Sequence, residues 1–193
     1  MLTMKRIFAL FLLPVLAGCL SPATPPDVSC WPLDYVGSAT GSSSPKYGAA
    51  RVSQLTVRAP YSEESIVVQR ANGSVAKDPY NVFAALPSLL LKGVVYDALE
   101  RSGLFALVVN TSSSVPVAVN VETMVVRLAL DCRREGERRA TASVLVRLLD
   151  DRTNEVLASA KGAGSEDAAD GNYGAAFSRA VSAAVASALE QFR

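Results

Sequence analysis

Residues 115–149, VPVAVNVETMVVRLALDCRREGERRATASVLVRLL, decide the fold class of this 193-residue chain. Apolar residues alternate with polar ones over residues 115–130 and again over residues 139–149, which is the period of strands with one buried face. The charged residues 133–138 between them predict the exposed end of a hairpin. The stretch therefore predicts two long antiparallel strands of one sheet.

The elements that follow this hairpin extend the sheet and cover it. Residues 150–154 predict a turn and residues 155–161 a third strand, so the three strands form an antiparallel meander. Residues 173–192 carry apolar side chains at helical spacing without a break, which predicts a long amphipathic helix. Because its many alanines permit close approach, we expect this helix to pack on the chain's own sheet. Contact with a partner or a membrane is the alternative use of that helix face.

Two strands, a helix and a further strand precede the hairpin. Residues 51–59 and 65–70 show the two-residue period of strands. Pro87 suits the first turn of a helix, and Gly103 suits the residue just after one. Residues 104–109 then predict a strand. The complete order is β-β-α-β-β-β-β-α, an α+β fold with a single, mainly antiparallel sheet and two helices packed on one face. The other face remains for self-association or a partner.

The start of the chain resembles the export signal of a bacterial lipoprotein. Lys5 and Arg6 precede an apolar run over residues 7–17, which is too short to span a bilayer. The run ends in LAGC at residues 16–19, which resembles a lipobox. That resemblance implies cleavage by signal peptidase II before Cys19 and attachment of diacylglycerol to the Cys19 thiol. A short signal with a chance cysteine is the alternative. The residues that the peptidase would recognise are Leu16, Ala17 and Gly18.

Composition divides the chain into three parts. Residues 1–18 form the signal peptide, residues 19–50 a lipidated tether rich in serine and proline, and residues 51–193 the folded α/β domain. Within the tether, residues 30–35 (CWPLDY) are mostly apolar. We therefore expect this short segment to dock on the domain.

Cysteine usage predicts one cross-link. The chain has three cysteines, Cys19, Cys30 and Cys132. If Cys19 is acylated, an even number remains in an oxidising compartment, and an even remainder favours a Cys30–Cys132 disulfide. Two separate thiols are the alternative.

Composition also limits the chemistry of the chain. It contains no histidine, which excludes Ser-His-Asp and Cys-His catalysis and the usual zinc sites, although carboxylate and lysine chemistry stay open. We therefore expect a protein that is not an enzyme and uses neither a cofactor nor a metal. The 19 lysines and arginines nearly balance the 18 aspartates and glutamates, so the charge does not suggest a nucleic-acid partner.

Three weak motifs have simpler explanations than catalysis. Residues 43–46 match a Ser-x-x-Lys pattern, but they lie in the tether, where no pocket could preorganise them. The carboxylates of residues 63–64 and 166–170 are explained by solvated turns, with a metal or acid–base site as the alternative. The Gly-x-Gly of residues 162–164 lacks the strand-to-helix context of a dinucleotide-binding loop.

A local cluster of arginines marks the predicted hairpin tip. It is interleaved with Glu135 and Glu137, which favours a solvated tip. Contact with an anionic lipid surface or an acidic partner is the alternative. The arginines of this cluster are Arg133, Arg134, Arg138 and Arg139.

Several segments of the chain resemble a family of envelope lipoproteins. After the lipobox and the serine- and proline-rich tether come VRAPY at residues 57–61, YNVFAALP at 80–87, LERSGLFALV at 99–108 and VLVRLLDD at 144–151. Together they are similar to the ABC-type transport auxiliary lipoproteins, PqiC-like proteins among them. The resemblance covers about residues 51–192.

This resemblance implies a function and partners. The family's members are outer-membrane lipoproteins that dock the periplasmic MCE-domain bridge of an ABC-type phospholipid transport system, so the expected partners are an MCE-domain protein, the inner-membrane ABC transporter and outer-membrane lipid. Leu20 and Ser21 after Cys19, without an aspartate, favour the outer membrane in enteric-type sorting. Homo-oligomers are also expected where a sheet face is uncovered. The alternatives are an envelope assembly or maintenance lipoprotein and a carrier of a single lipid.

Overall fold

The computed structural model describes residues 27–37 and 44–193. Within these residues, eight strands form one sheet and two helices cover it. The elements are β1 (Ser29–Trp31), β2 (Tyr47–Val57), β3 (Ser65–Arg70), β4 (Val75–Phe83), α1 (Pro87–Ser102), β5 (Phe105–Val109), β6 (Val119–Cys132), β7 (Arg139–Asp150), β8 (Val156–Asp167) and α2 (Tyr173–Glu190). The predicted signal peptide, its recognition residues Leu16, Ala17 and Gly18, and the predicted lipidation site Cys19 lie outside the described residues.

Strand β6 organises the sheet. One edge of β6 pairs antiparallel with β7, which pairs antiparallel with β8, so the predicted meander is confirmed. The other edge of β6 is shared: its first half pairs in parallel with β2 and its second half with β3. β5 continues the sheet beyond β2, and β4 and then β1 continue it beyond β3. The predicted α+β class, with one sheet and two helices, is confirmed.

Strands β1, of three residues, and β4, of nine, are additional to the predicted order. β4 runs through Pro79, which has no backbone N–H to donate to a neighbouring strand. Proline is tolerated there because the pairing of β3 with β4 is interrupted by a bulge at this point. Residues within a bulge do not all donate a backbone hydrogen bond to the neighbouring strand. The Asp78 carboxylate accepts hydrogen bonds from the backbone N–H groups of Tyr80 and Asn81, which fixes the bulge.

Helix α1 begins and ends where its sequence predicts. Pro87 occupies the first turn, and Gly103 follows the last residue in the left-handed conformation, with φ of 68°. Only glycine adopts that conformation without steric cost. Leu91, Val95 and Leu99 of α1 are buried against the sheet. The helix thereby closes one half of the core.

Helix α2 lies unusually close to strand β8. A Cβ atom placed on Gly162 would lie 1.8 Å from the carbonyl oxygen of Ala184, and one on Gly164 would lie 2.1 Å from that of Ala180. No side chain fits in that space. The prediction that the alanine-rich face packs on the chain's own sheet is confirmed, and the Gly-x-Gly of β8 is a packing feature.

Residues 27–37, here called the strap, dock on the helical layer. Leu33 is only 5% exposed and joins the core. The Ser178 and Ser182 hydroxyls, one turn apart on α2, accept hydrogen bonds from the backbone N–H groups of Asp34 (3.0 Å) and Val36 (2.8 Å). The predicted docking of residues 30–35 is therefore observed.

The aromatic residues of the strap reinforce this docking. The Trp31 indole donates a hydrogen bond to the Asn81 side chain at 3.0 Å, and its ring meets Tyr173 edge to face at 5.9 Å. The Arg101 guanidinium lies 5.4 Å from the centre of the Tyr35 ring. Contacts to β4, α1 and α2 together hold the strap without a covalent link.

The predicted disulfide is absent from the structure. Cys30 is an exposed thiol on β1, and Cys132 is a half-buried thiol at the end of β6. Strands β4 and β3 lie between β1 and β6, which places the two Cα atoms roughly 14 Å apart or more at the usual strand spacing. A disulfide joins Cα atoms within about 7 Å, so the two residues do not pair in this fold.

Candidate functional site

One face of the sheet is packed against the two helices, and the opposite face carries no helix. Along β7, the alternate residues Ala142, Val144 and Val146 are buried under the helices. The residues between them point to the opposite side, here called the open face. It bears Glu122 opposite Arg147, and Met124 opposite Leu145. The open face is therefore mostly polar, with a small apolar centre.

A groove of about 730 Å³ crosses the open face at the β6–β7 hairpin. Arg127 lies at its base and donates hydrogen bonds to the Gln69 side chain, the Thr141 hydroxyl (3.2 Å) and the Asp131 carboxylate (3.4 Å). These contacts fix the guanidinium between strands β3, β6 and β7. The groove is lined by Arg127, Asp131, Arg133, Arg134, Glu137, Arg139, Thr141, Ala142, Ser143, Ala163, Gly164 and Ser165.

The hairpin arginines predicted as a cluster have different environments. Arg133 binds the Asp131 carboxylate at 2.6 Å, and Arg139 donates to the Ser165 hydroxyl at 3.0 Å. Arg138 turns to the helical layer, where it donates to the Tyr173 hydroxyl at 3.3 Å. The Arg134 side chain is 81% exposed and lies 3.7 Å from Glu137. Three of the four arginines border the groove, and all four are exposed, as expected of a solvated tip.

Asp131 is the groove carboxylate that pairs with both Arg127 and Arg133. Its side chain is 16% exposed and accepts hydrogen bonds from both the side chain and the backbone N–H of Arg133. The Arg133 hydrogen bond holds the pKa of Asp131 below its usual value, and the charge of Arg127 acts in the same direction against the effect of burial. Burial raises the pKa of the neighbouring Cys132 thiol.

Asp131→Asn is expected to remove part of the acid sensitivity of the domain. Because the folded-state pKa of Asp131 lies below the unfolded value of about 3.9, its ion pairing stabilises the fold above that pH. The contribution is lost as pH falls through the folded-state pKa. Urea unfolding should therefore give a lower midpoint for Asp131→Asn than for the parent at pH 7, and the difference should narrow at pH 3. Glu135→Gln in the same hairpin is the control. If the difference in urea midpoint between Asp131→Asn and the parent were the same at pH 7 and pH 3, the lowered pKa of Asp131 would be contradicted.

The carboxylates considered as a metal or acid–base site have structural contacts. Glu63 pairs with Lys77, and Glu166 pairs with Arg179 at 3.5 Å. Asp167 and Asp170 cap the turn before α2 by accepting backbone N–H groups. Across residues 27–37 and 44–193, no group of three metal-ligating side chains converges. Glu63, Glu64 and Asp170 lie in turns or bends, as predicted, whereas Glu166 and Asp167 belong to the end of β8, which extends beyond the predicted residues 155–161.

The Ser-x-x-Lys pattern is not brought into a site. Its lysine, Lys46, donates to the backbone carbonyl oxygens of Phe192 (2.9 Å) and Arg193 (3.0 Å). Its serine, Ser43, lies outside the described residues. Lys46 therefore ties the start of β2 to the end of the chain.

The arrangement of the groove suits recognition by charge and hydrogen bonding. Its guanidinium groups and hydroxyls are donors for carboxylate or phosphate oxygens, and its lining comes mainly from β6, β7 and β8. Arg127, Gln69 and Ser165 were not singled out by the sequence. Their strands come together only in the folded sheet, and the sole signal was that each occupies a polar position in an alternating strand.

Comparisons with known proteins show the fold. No family model matches the chain, and no curated protein matches it. None of the helices in the described residues is long and apolar enough to cross a membrane. The chain is similar to the crystal structure of a Xanthomonas campestris protein of the DUF330 family, with a TM-score of 0.63 and 19% identity over 83% of this chain and 88% of that one.

Two further solved structures are more distant. One is an uncharacterised protein, with a TM-score of 0.49 and 11% identity over 72% of this chain and 81% of that one. The other is the PelC dodecamer from Paraburkholderia phytofirmans, with a TM-score of 0.47 and 12% identity over 79% of this chain and 92% of that one. The chain thus shares its fold with the DUF330 protein.

Proposed function

We propose that this chain is a non-enzymatic lipoprotein, anchored to the outer membrane through Cys19, that docks the periplasmic MCE-domain bridge of an ABC-type phospholipid transport system. Its partners are the MCE-domain protein, the inner-membrane ABC transporter and, through the anchor, outer-membrane lipid. In this role, the chain binds a partner protein and does not itself drive transport. The ABC transporter supplies the energy.

One structural observation carries this proposal. The strap, which leads from the predicted lipid site, packs on α2, whereas the open face lies on the opposite side of the sheet. On this proposal, the lipid anchor joins the domain on its helical side, and the open face is left for a partner. The groove beside Arg127 and the Met124–Leu145 centre give that free face polar contacts and a small apolar patch. Such a mixture is typical of interfaces between separately folded proteins.

The sequence adds two independent supports. The LAGC tetrapeptide lies at the end of an apolar run, as in exported lipoproteins. The segments VRAPY, YNVFAALP and LERSGLFALV resemble the auxiliary lipoproteins of MCE-type systems, and the shared fold with a DUF330 protein is compatible with that resemblance.

The decisive experiment is an affinity pull-down from gently solubilised envelopes. A tag placed after Arg193 is used, and co-purified proteins are identified by mass spectrometry. We expect an MCE-domain protein and its ABC ATPase to be recovered. A clean preparation without them, from cells shown to express both, would contradict the docking role.

A pair of charge reversals locates the docking surface. Arg147→Glu changes the centre of the open face, where Arg147 is exposed opposite Glu122. Glu100→Arg makes an equal and opposite change on the exposed side of α1. We expect the first substitution to abolish recovery of the MCE-domain protein and the second to leave it unchanged.

The carrier alternative would need a sizeable apolar cavity. In the described part of the chain, the space between helices and sheet is occupied by Leu91, Leu99, Phe177 and their neighbours. The grooves there open to solvent. No observation favours the carrier over docking.

A further inference from the structure

The strap is attached to the folded domain near its start, at its middle and near its end. β1 pairs in parallel with β4, and the backbone N–H of Ala84 donates to the Trp31 carbonyl oxygen at 2.8 Å. Leu33, at the middle, is buried in the core. Towards the end, the Ser182 hydroxyl accepts the backbone N–H of Val36 at 2.8 Å. The strap is therefore a part of the domain, although its composition places it in the predicted tether.

Both layers of the fold hold the strap. Trp31 contacts the sheet through its hydrogen bond to Asn81, and it also lies against the first turn of α2, where a Cβ on Gly174 would be 3.2 Å from its ring. Tyr35 faces Arg101 of α1. Because the sheet and both helices contribute, the docked strap is fixed relative to the whole domain.

Docking of the strap shortens the chain that separates the lipid from the domain. Cys19 and Asp27 are eight residues apart, and an extended chain of that length spans at most about 28 Å. Without the docked strap, the first residue fixed to the domain would be Tyr47 at the start of β2, which is 28 residues from Cys19. That length spans at most about 98 Å. The strap thus reduces the greatest possible reach roughly threefold.

The remaining connection is shorter than the domain is long. β7 alone, with its 12 residues, has a length of roughly 40 Å. A domain on a connection of at most about 28 Å stays beside the bilayer that holds its lipid. A domain on the full predicted tether could move away from that bilayer by more than its own length.

We propose that the strap fixes the domain close to the bilayer, so that residues 20–26 alone set its distance from the lipid and residues 38–46 do not contribute. This inference rests on the lipid anchoring at Cys19 in the proposed function. The periplasmic bridge is then bound at the membrane surface. The partner protein extends to the anchored domain, and the domain does not extend across the periplasm to meet it.

The test compares one insertion at two positions. A 40-residue glycine- and serine-rich segment, with an r.m.s. length of about 35 Å, is placed either after Thr24, before the strap, or after Gly41, behind it. Long insertions of this kind cost little closure entropy, so both chains should fold. The two variants have the same composition and length, and only the position of the insertion relative to the strap differs.

Energy transfer to the bilayer reports the distance. A donor dye is attached enzymatically to a peptide tag after Arg193, and the full acylated chain is reconstituted in vesicles of phosphatidylethanolamine and phosphatidylglycerol with an acceptor dye on a small share of the headgroups. We expect the insertion after Thr24 to lower the transfer by at least half. The insertion after Gly41 should leave it at the value of the parent, because both ends of that insertion are held by the domain.

Release of the strap should remove this difference. Leu33→Asp places an unpaired carboxylate in the core, which a buried site does not tolerate, so the middle of the strap must leave the domain. In a Leu33→Asp chain whose circular dichroism shows the domain still folded, the insertion after Gly41 should lower the transfer as well.

The outcomes separate the two proposals. An equal fall in transfer for both insertions in the parent chain, or no fall for either, would overturn the role of the strap on a chain of the acylated mass. A chain whose mass shows no lipid would instead overturn the anchoring on which both proposals rest.

Discussion

Chains with Gly162→Val or Gly164→Val are expected to be strongly destabilised. A Cβ at either position would overlap a backbone carbonyl oxygen of α2, at 1.8 Å from Ala184 and 2.1 Å from Ala180. A helix backbone cannot yield as the end of a flexible side chain can, so α2 must move off the sheet. Overpacking of ordinary cores costs about 1–3 kcal/mol, and we expect about 3 kcal/mol or more here. Urea unfolding followed by circular dichroism measures the loss.

Gly93→Ala is the matched control and should act in the opposite direction. Gly93 lies within α1, and a Cβ there would have no heavy atom within 4 Å. Alanine in a helix interior is more stable than glycine by roughly 0.5–1 kcal/mol, because it restricts the unfolded chain. If the β8 substitutions were tolerated as well as Gly93→Ala, the close approach of α2 to β8 would be wrong.

Cys19→Ser is expected to abolish both the lipidation and the processing of the chain. Each buried CH₂ of an acyl chain contributes about 0.8 kcal/mol, so two or three chains give a firm anchor that serine does not carry. The parent should fractionate with membranes and have a mass raised by the lipid. Cys19→Ser should lose that added mass and keep its signal peptide, because signal peptidase II acts on the lipidated cysteine.

Cys30→Ser is the control for this experiment. It removes an exposed thiol from β1, which has no disulfide partner in the fold. It should leave both the membrane fraction and the lipid mass unchanged. A Cys19→Ser chain that stays with membranes at the processed length would contradict the lipoprotein assignment.

Local sequence patterns predict the elements with strong periodicity. The limits of β3 and of α1 agree with their predicted positions, and the alternation in β6 and β7 predicts which of their faces is buried. Each of these signals comes from side chains within one segment. That is why the fold class follows from the sequence.

The remaining elements depend on contacts between distant segments. β1 is three residues long and exists because it pairs with β4, more than fifty positions away. The parallel pairings of β6 with β2 and β3 place two segments along one edge, which no local period encodes. The wrong prediction of a Cys30–Cys132 disulfide has the same cause. It rested on the even number of cysteines left after Cys19, and that number does not show that two strands separate the two residues.

Only part of the candidate site could be predicted from the sequence. The hairpin arginines stand out because they are adjacent in sequence. Arg127, Gln69 and Thr141 come from three strands, and their hydrogen bonds arise from the register of β6 with β3 and β7. A single polar residue in an alternating strand does not indicate which neighbours it will meet.

The hydrogen bonds of the strap have a consequence for how the protein is made. Asp34 and Ser178 are 144 positions apart, so the strap meets its binding surface only after the chain has been synthesised through α2. Contacts between such distant residues form late in folding, because a long loop must close first. The strap therefore stays undocked until α2 has formed. Formation of α2, the last element of the chain, is thus the step that fixes the first strand and the strap to the domain.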